Sequence, residues 1–133
     1  MSIKFSFRQD DQYSVAEWSG KITDEEMMRA YMDYYECDHW HSGLCEFVDL
    51  GDADIGPVTS EGVRRFAGAV QSKLKEIGAA PFKTAVYAPK PLPFGMARIY
   101  EALTDESPKN VRVFNERQDA EDWLHQQIAE LWT

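Results

Sequence analysis

Cys37, Asp38, His39, His41 and Cys45 fall within nine residues, and thiolate, imidazole and carboxylate are the ligand types that zinc prefers. Their spacing, Cys-x-His-x-His-x3-Cys, matches no closed structural zinc pattern. Cys45 also lies in the apolar run 44–50, where a free thiol behaves as a small hydrophobe. Asp49, Asp52 and Asp54 gather at the end of that run, and oxygen donors of this kind suit magnesium or calcium. A metal held there would polarise a phosphate or carbonyl, the chemistry of a magnesium- or zinc-dependent hydrolase. No phosphate-binding glycine loop accompanies the three aspartates, and no Gly-x-Ser-x-Gly elbow occurs. Acidic groups shortly before a helix are stabilised there without a metal. The simpler reading is a solvated acidic loop, so no catalytic residue, metal or cofactor is assigned.

A second group is Lys90, Leu92, Phe94, Gly95, Met96 and Arg98, in and just after the proline-rich segment 89–95. Lys90 and Arg98 flank the expected start of a helix, whose free N–H groups favour an anion. Leu92, Phe94 and Met96 add apolar surface. The combination suits an amphiphile with an acidic head.

These residues are positioned by a regular succession of elements. Ile3, Phe5 and Phe7 alternate with polar neighbours, and after the turn 9–12 residues 13–18 form a second strand, broken by Ser19-Gly20. Thr23 with Glu26 is a capping box for a helix to about Glu36, with Met27, Ala30, Tyr31, Tyr34 and Tyr35 inward. Residues 44–50 read as a buried strand, 51–58 as an acidic loop, and Thr59 onward as a helix with Val63, Phe66, Ala67, Val70 and Leu74 on one face. Gly78 and Pro81 end it. Strand 82–88, the stiff loop 89–95, a third helix, strand 111–114 and a final helix capped by Asn115 follow, the last with Ala120, Trp123, Leu124, Ile128 and Leu131 inward. The order β-β-α-β-α-β-α-β-α predicts one α/β domain over 1–133: a five-stranded, mostly parallel sheet with an antiparallel first strand at its edge. Phe47, Val48, Leu50, Val63, Phe66, Val70, Ala85, Val86, Val113 and Leu124 are its expected core.

Net charge is −9, and all of it arises in residues 1–60, which carry 13 acids against 4 bases. Phosphate backbones and anionic membranes repel such a surface, so neither is expected as a partner. No apolar run is long enough to span a bilayer, no signal peptide pattern opens the chain, and two cysteines are too few for a disulfide framework. The expectation is a reduced cytoplasmic protein.

The succession resembles the SpoIIAA-like, STAS-type domains, including the small bacterial proteins grouped as STAS/SEC14-like. The resemblance is carried by Trp18-Ser-Gly-Lys-Ile-Thr23, Phe47-Val-Asp-Leu50, Ala85-Val-Tyr-Ala88, Gly95-Met-Ala-Arg98 and the ending Val113-Phe114…Ala120-Glu-Asp-Trp-Leu124. It implies a superhelix of β-α units with consecutive strands adjacent, and a non-enzymatic regulatory module that binds proteins, nucleotides or lipids. In the anti-sigma antagonists of that family a serine opening the second helix is phosphorylated. Here Ser60 and Gly62 match the family run, Thr59 stands for its aspartate and Glu61 for its second serine, which makes Ser60 and Thr59 the phosphorylation candidates. The simpler role for either is to cap the helix. The sequence as a whole predicts a binding module for a protein partner or a small amphiphile at the carboxyl edge of the sheet, with a homodimer compatible.

Overall fold

A computed structural model describes the backbone of residues 2–8 and 12–132 and the side chains as far as residue 126. Most of the expected turn at 9–12, and the expected inward positions Ile128 and Leu131, lie outside the described residues. The elements are β1 (Ile3–Arg8), β2 (Tyr13–Lys21), α1 (Asp24–Glu36), β3 (Cys45–Asp54), α2 (Ser60–Glu76), β4 (Phe82–Tyr87), α3 (Pro91–Leu103), β5 (Lys109–Phe114) and α4 (Arg117–Trp132). The strands lie in the order β1-β2-β3-β4-β5, with β1 antiparallel to β2 and every later pair parallel. Consecutive strands are therefore neighbours, as the alternation of elements requires.

Two cores form because β3 and β4 are covered on both faces. Val48, Leu50 and Val86 pack with α1, α2 and α3, through Tyr31, Tyr34, Phe66, Val70 and Ala97 among others. Val15, Cys45, Phe47 and Ala85 pack under α4, against Ala120 and Leu124. All ten expected core residues are buried. Thr23 caps α1 and Thr59 caps α2, each through a side-chain oxygen that accepts a backbone N–H three residues on. Gly78 takes φ 66° after α2, and Ala79 N donates back to Leu74 O, closing the helix as expected of a left-handed residue there.

Several boundaries differ from the sequence expectation. β2 continues through Ser19 and Gly20 to Lys21, and β3 continues to Asp54, so half of the expected acidic loop is strand. The pairing Glu17↔Asp49 is followed by Ser19↔Asp52, so Trp18 alone faces both Leu50 and Gly51. This bulge restarts the register and lets the weak strand formers Gly, Ser and Asp pair beyond it. α3 begins at Pro91, so most of the expected stiff loop 89–95 is helix. Pro91 and Pro93 occupy its first turn, where a missing N–H costs nothing and a preset φ helps. β5 begins at Lys109 rather than at residue 111. α4 begins at Arg117, with Ala120 N donating to Glu116 O, which puts the cap one residue beyond Asn115.

Candidate binding cavity

Between the sheet and its three-helix face lies a cavity of about 70 Å³. Leu50, Ile55 and Val58 bound it from β3 and the β3–α2 connection, Pro93, Met96 and Ala97 from α3, and Met27, Val63 and Phe66 from α1 and α2. Most of this wall is buried aliphatic or aromatic surface, and the partly exposed lining residues are Met96 and Tyr100, both on α3.

Thr84, Tyr31, Tyr100 and Lys109 also border the cavity, but the surface that it presents is almost wholly apolar. Strand phase explains their placement. Lys109 is in step with Val111 and Val113, Thr84 with Phe82 and Val86, and Glu46 with Val48 and Leu50, so all three point to the three-helix face. Register then brings them together, since Glu46 lies opposite Thr84 and Thr84 opposite Val111, two residues along from Lys109. Thr84 Oγ1 donates to Glu46 Oε1 at 2.7 Å, and Lys109 Nζ lies 3.3 Å from the same oxygen. Lys109 Nζ also donates to Tyr35 Oη at 3.1 Å and sits 5.1 Å from the Tyr31 ring centre and 5.3 Å from that of Tyr100. Trp18 Nε1 donates to Tyr31 Oη at 3.3 Å.

Burial by itself would lower the pKa of Lys109; the Glu46 carboxylate beside it more than offsets this, and the net shift is well upward. Burial also raises the phenols of Tyr31, Tyr34, Tyr35 and Tyr100. Lys109 is therefore a fixed cation here, and the tyrosines are fixed neutral hydrogen-bonding groups. Among the described residues, the Tyr100 hydroxyl and Glu46 Oε2 are buried without a hydrogen-bond partner. The Tyr100 ring is partly exposed while its hydroxyl is covered.

Of the residues singled out in the proline-rich segment, Met96 lines the cavity. Phe94 packs partly buried against the core. Leu92 is 57% exposed, Lys90 and Gly95 are exposed, and Arg98 lies in solvent 3.6 Å from Glu101. Two prolines in the first turn leave α3 fewer N–H groups for an anion than an ordinary helix start, and Phe94 N already donates to Lys90 O. Ile55 and Val58 of the β3–α2 connection and Pro93 at the start of α3 line the same cavity.

The other sites remain dispersed. Asp49 Oδ2 is held by Arg117 at 2.8 Å, Asp54 Oδ1 accepts from Gly56 N, and Asp52 is exposed. Among the described residues no group of three or more His, Cys, Asp or Glu side chains is arranged to hold a metal, in this segment or in the Cys37–Cys45 one. Burial pushes the Cys45 thiol up, away from thiolate. Thr59 Oγ1 donates to Asp24 Oδ2 at 2.7 Å and accepts from Gly62 N, while Ser60 is exposed at the first position of α2. Sequence reasoning missed Glu46, Thr84 and Lys109. Their signal is a polar residue in the inward phase of an otherwise apolar strand.

No family model matches the chain, and no curated protein matches it. Among solved structures it is similar to an uncharacterised protein of the DUF3478 family, with a SpoIIAA-like fold, from Shewanella loihica PV-4. The TM-score is 0.53 at 18% identity, over 92% of this chain and 91% of the other. The likeness bears out the fold expected from the sequence: a SpoIIAA-like α/β domain. No described helix is long and apolar enough to cross a membrane.

Proposed function

We propose that the chain is a non-enzymatic binding module that takes a small amphiphile into the cavity beneath α3, entering from the carboxyl edge of the sheet. The observation that carries this reading is the cavity itself, with an almost wholly apolar wall built from four strands and three helices. Small-molecule sites are usually concave, mostly apolar and largely preformed. The SpoIIAA-like fold agrees with a binding role and supplies no reaction of its own.

The test is native mass spectrometry of the protein taken directly from cells, with extraction and identification of any small molecule retained. An Ala97→Leu variant, which fills the cavity from α3, should lose that molecule while remaining folded. Retention by the variant, or wild-type protein with nothing bound that also fails to bind added amphiphiles, would refute the reading.

A protein partner is the second reading, favoured by one observation. Among the described residues the exposed large hydrophobics, Leu92, Ile99 and Leu103, all lie on α3, at spacings that put them on one face. Sedimentation of the wild type and of Leu92→Asp across a concentration series tests self-association. Cross-linking in cell extract tests other partners. Identical behaviour of the two proteins in both would remove this reading.

A further inference from the structure

Resting on the protein-partner reading above, we infer that the partner is a second copy of this chain. The two copies dock α3 against α3, antiparallel, about a two-fold axis that passes between Ala97 and Arg98.

The outer face of α3 supplies the contact. At about 100° per residue, Leu92, Ile99 and Leu103 fall within roughly 40° of one another around the helix, and all three are exposed. Gly95 lies on the same side, and a Cβ built on it would meet nothing within 4 Å. The face is apolar, open, and low at one point.

Charge sets the direction. Lys90 at the start of α3, and Asp105 and Glu106 just past its end, are exposed and form no ion pair among the described residues. A parallel pair of helices would set Lys90 against Lys90 and Asp105 against Asp105. An antiparallel pair sets Lys90 of each copy against Asp105 of the other.

The apolar residues obey the same symmetry. Leu92 and Leu103 lie equally far in sequence from the midpoint of Ala97 and Arg98, and so do Lys90 and Asp105. One two-fold axis there brings Leu92 onto Leu103 of the other copy and both ion pairs into register. Ile99 then lies over Gly95 of the other copy, where no side chain holds the helices apart. Arg98 falls near the axis, but its own Glu101 is 3.6 Å away, so the copies meet there as neutral pairs rather than bare cations.

The acidic half of the chain does not oppose this contact. Its excess belongs to β2, α1 and β3 and the segments between them, and α2 separates α1, with five of those acids, from α3. Two helix faces about 20 Å long form a small interface, below about 1,200 Å², so the dimer should exchange with monomer at micromolar concentrations.

The experiment is sedimentation across a concentration series of wild type, Leu92→Asp, Lys90→Glu, Asp105→Lys, and an equimolar mixture of the last two. All three positions are exposed, and circular dichroism establishes that each variant is folded. Wild type should self-associate, and Leu92→Asp should do so at least tenfold more weakly, as expected for a charge set into an apolar contact. Lys90→Glu and Asp105→Lys alone should each weaken it by roughly five- to thirtyfold, since two exposed ion pairs become repulsive. Their mixture should recover the wild-type affinity, because each variant then meets its complement. A wild type that stays monomeric overturns the inference and leaves the search for other partners in cell extract to decide the protein-partner reading. Self-association that Leu92→Asp weakens but the mixture does not restore overturns the antiparallel pairing and leaves that reading standing. Self-association unchanged by Leu92→Asp lies elsewhere on the molecule and overturns the inference.

Discussion

Lys109 Nζ and Glu46 Oε1 lie 3.3 Å apart inside the three-helix core, with only 2% and 3% of the two side chains exposed. They come from strands that are not neighbours, and Thr84 on the strand between donates to the same oxygen. Removing one member strands the other in a medium that solvates charge poorly. Lys109→Met should therefore cost about 3–5 kcal/mol by urea denaturation. Adding Glu46→Leu should recover part of that loss. A cost below about 1 kcal/mol for the single change, or no recovery in the double, would contradict the burial of the pair.

Alkaline stability follows from the same residues. The folded pKa values of Lys109 and of Tyr31, Tyr34, Tyr35 and Tyr100 are all raised. Above about pH 10 the unfolded chain releases protons that the folded chain retains, so the unfolded state binds fewer and unfolding free energy falls as pH rises. Each such group can contribute up to about 1.4 kcal/mol per pH unit until its folded pKa is reached. These groups make no contribution to the pH dependence well below pH 10. Urea midpoints at alkaline pH, with tyrosinate absorbance followed in parallel, should show tyrosine ionisation coinciding with unfolding. Full ionisation of all four phenols in a still-folded chain would refute this.

Gly62 is required by its neighbour. A Cβ at this position would collide with the Asp24 carboxylate, which accepts from both Thr59 N and Thr59 Oγ1 and so joins the starts of α1 and α2. Gly62→Ala should destabilise by about 1–3 kcal/mol. Asp24→Ala alone should cost about 1–2 kcal/mol through the lost hydrogen bonds. In the Asp24→Ala background the Gly62 substitution should become much cheaper. Simple additivity across that double-mutant cycle would exclude the collision.

β5 is an edge strand, and side chains cover part of its open side. Glu101 Oε2 accepts from Val113 N at 3.0 Å, and Ser107 Oγ accepts from Lys109 N at 3.1 Å. Unpaired edge donors invite pairing with another chain. Glu101→Ala should cost about 1 kcal/mol and raise concentration-dependent association, measured by light scattering on warming. Unchanged scattering would mean that the contact plays no protective part.

Period was enough to place the elements, because each buries a face set by its own residues. Val63, Phe66, Val70 and Leu74 specify one side of a helix wherever that helix lies, and Phe47, Val48 and Leu50 specify a strand covered on both sides. The order of elements then left few topologies, and the one with consecutive strands adjacent is found. Boundaries were less legible where a partner supplies what local preference lacks. Gly51–Asp54 is strand because β2 pairs with it across the bulge at Trp18, and Pro91 opens a helix because its first turn asks for no N–H. Least legible was the buried polar cluster beside the cavity. Glu46, Thr84 and Lys109 span 63 intervals of sequence, from residue 46 to residue 109, and meet only through register across β3, β4 and β5. Phase along each strand could have marked them as inward. Their mutual distances depend on how three strands align, and that alignment is a property of packing and backbone pairing, which no local stretch of sequence contains.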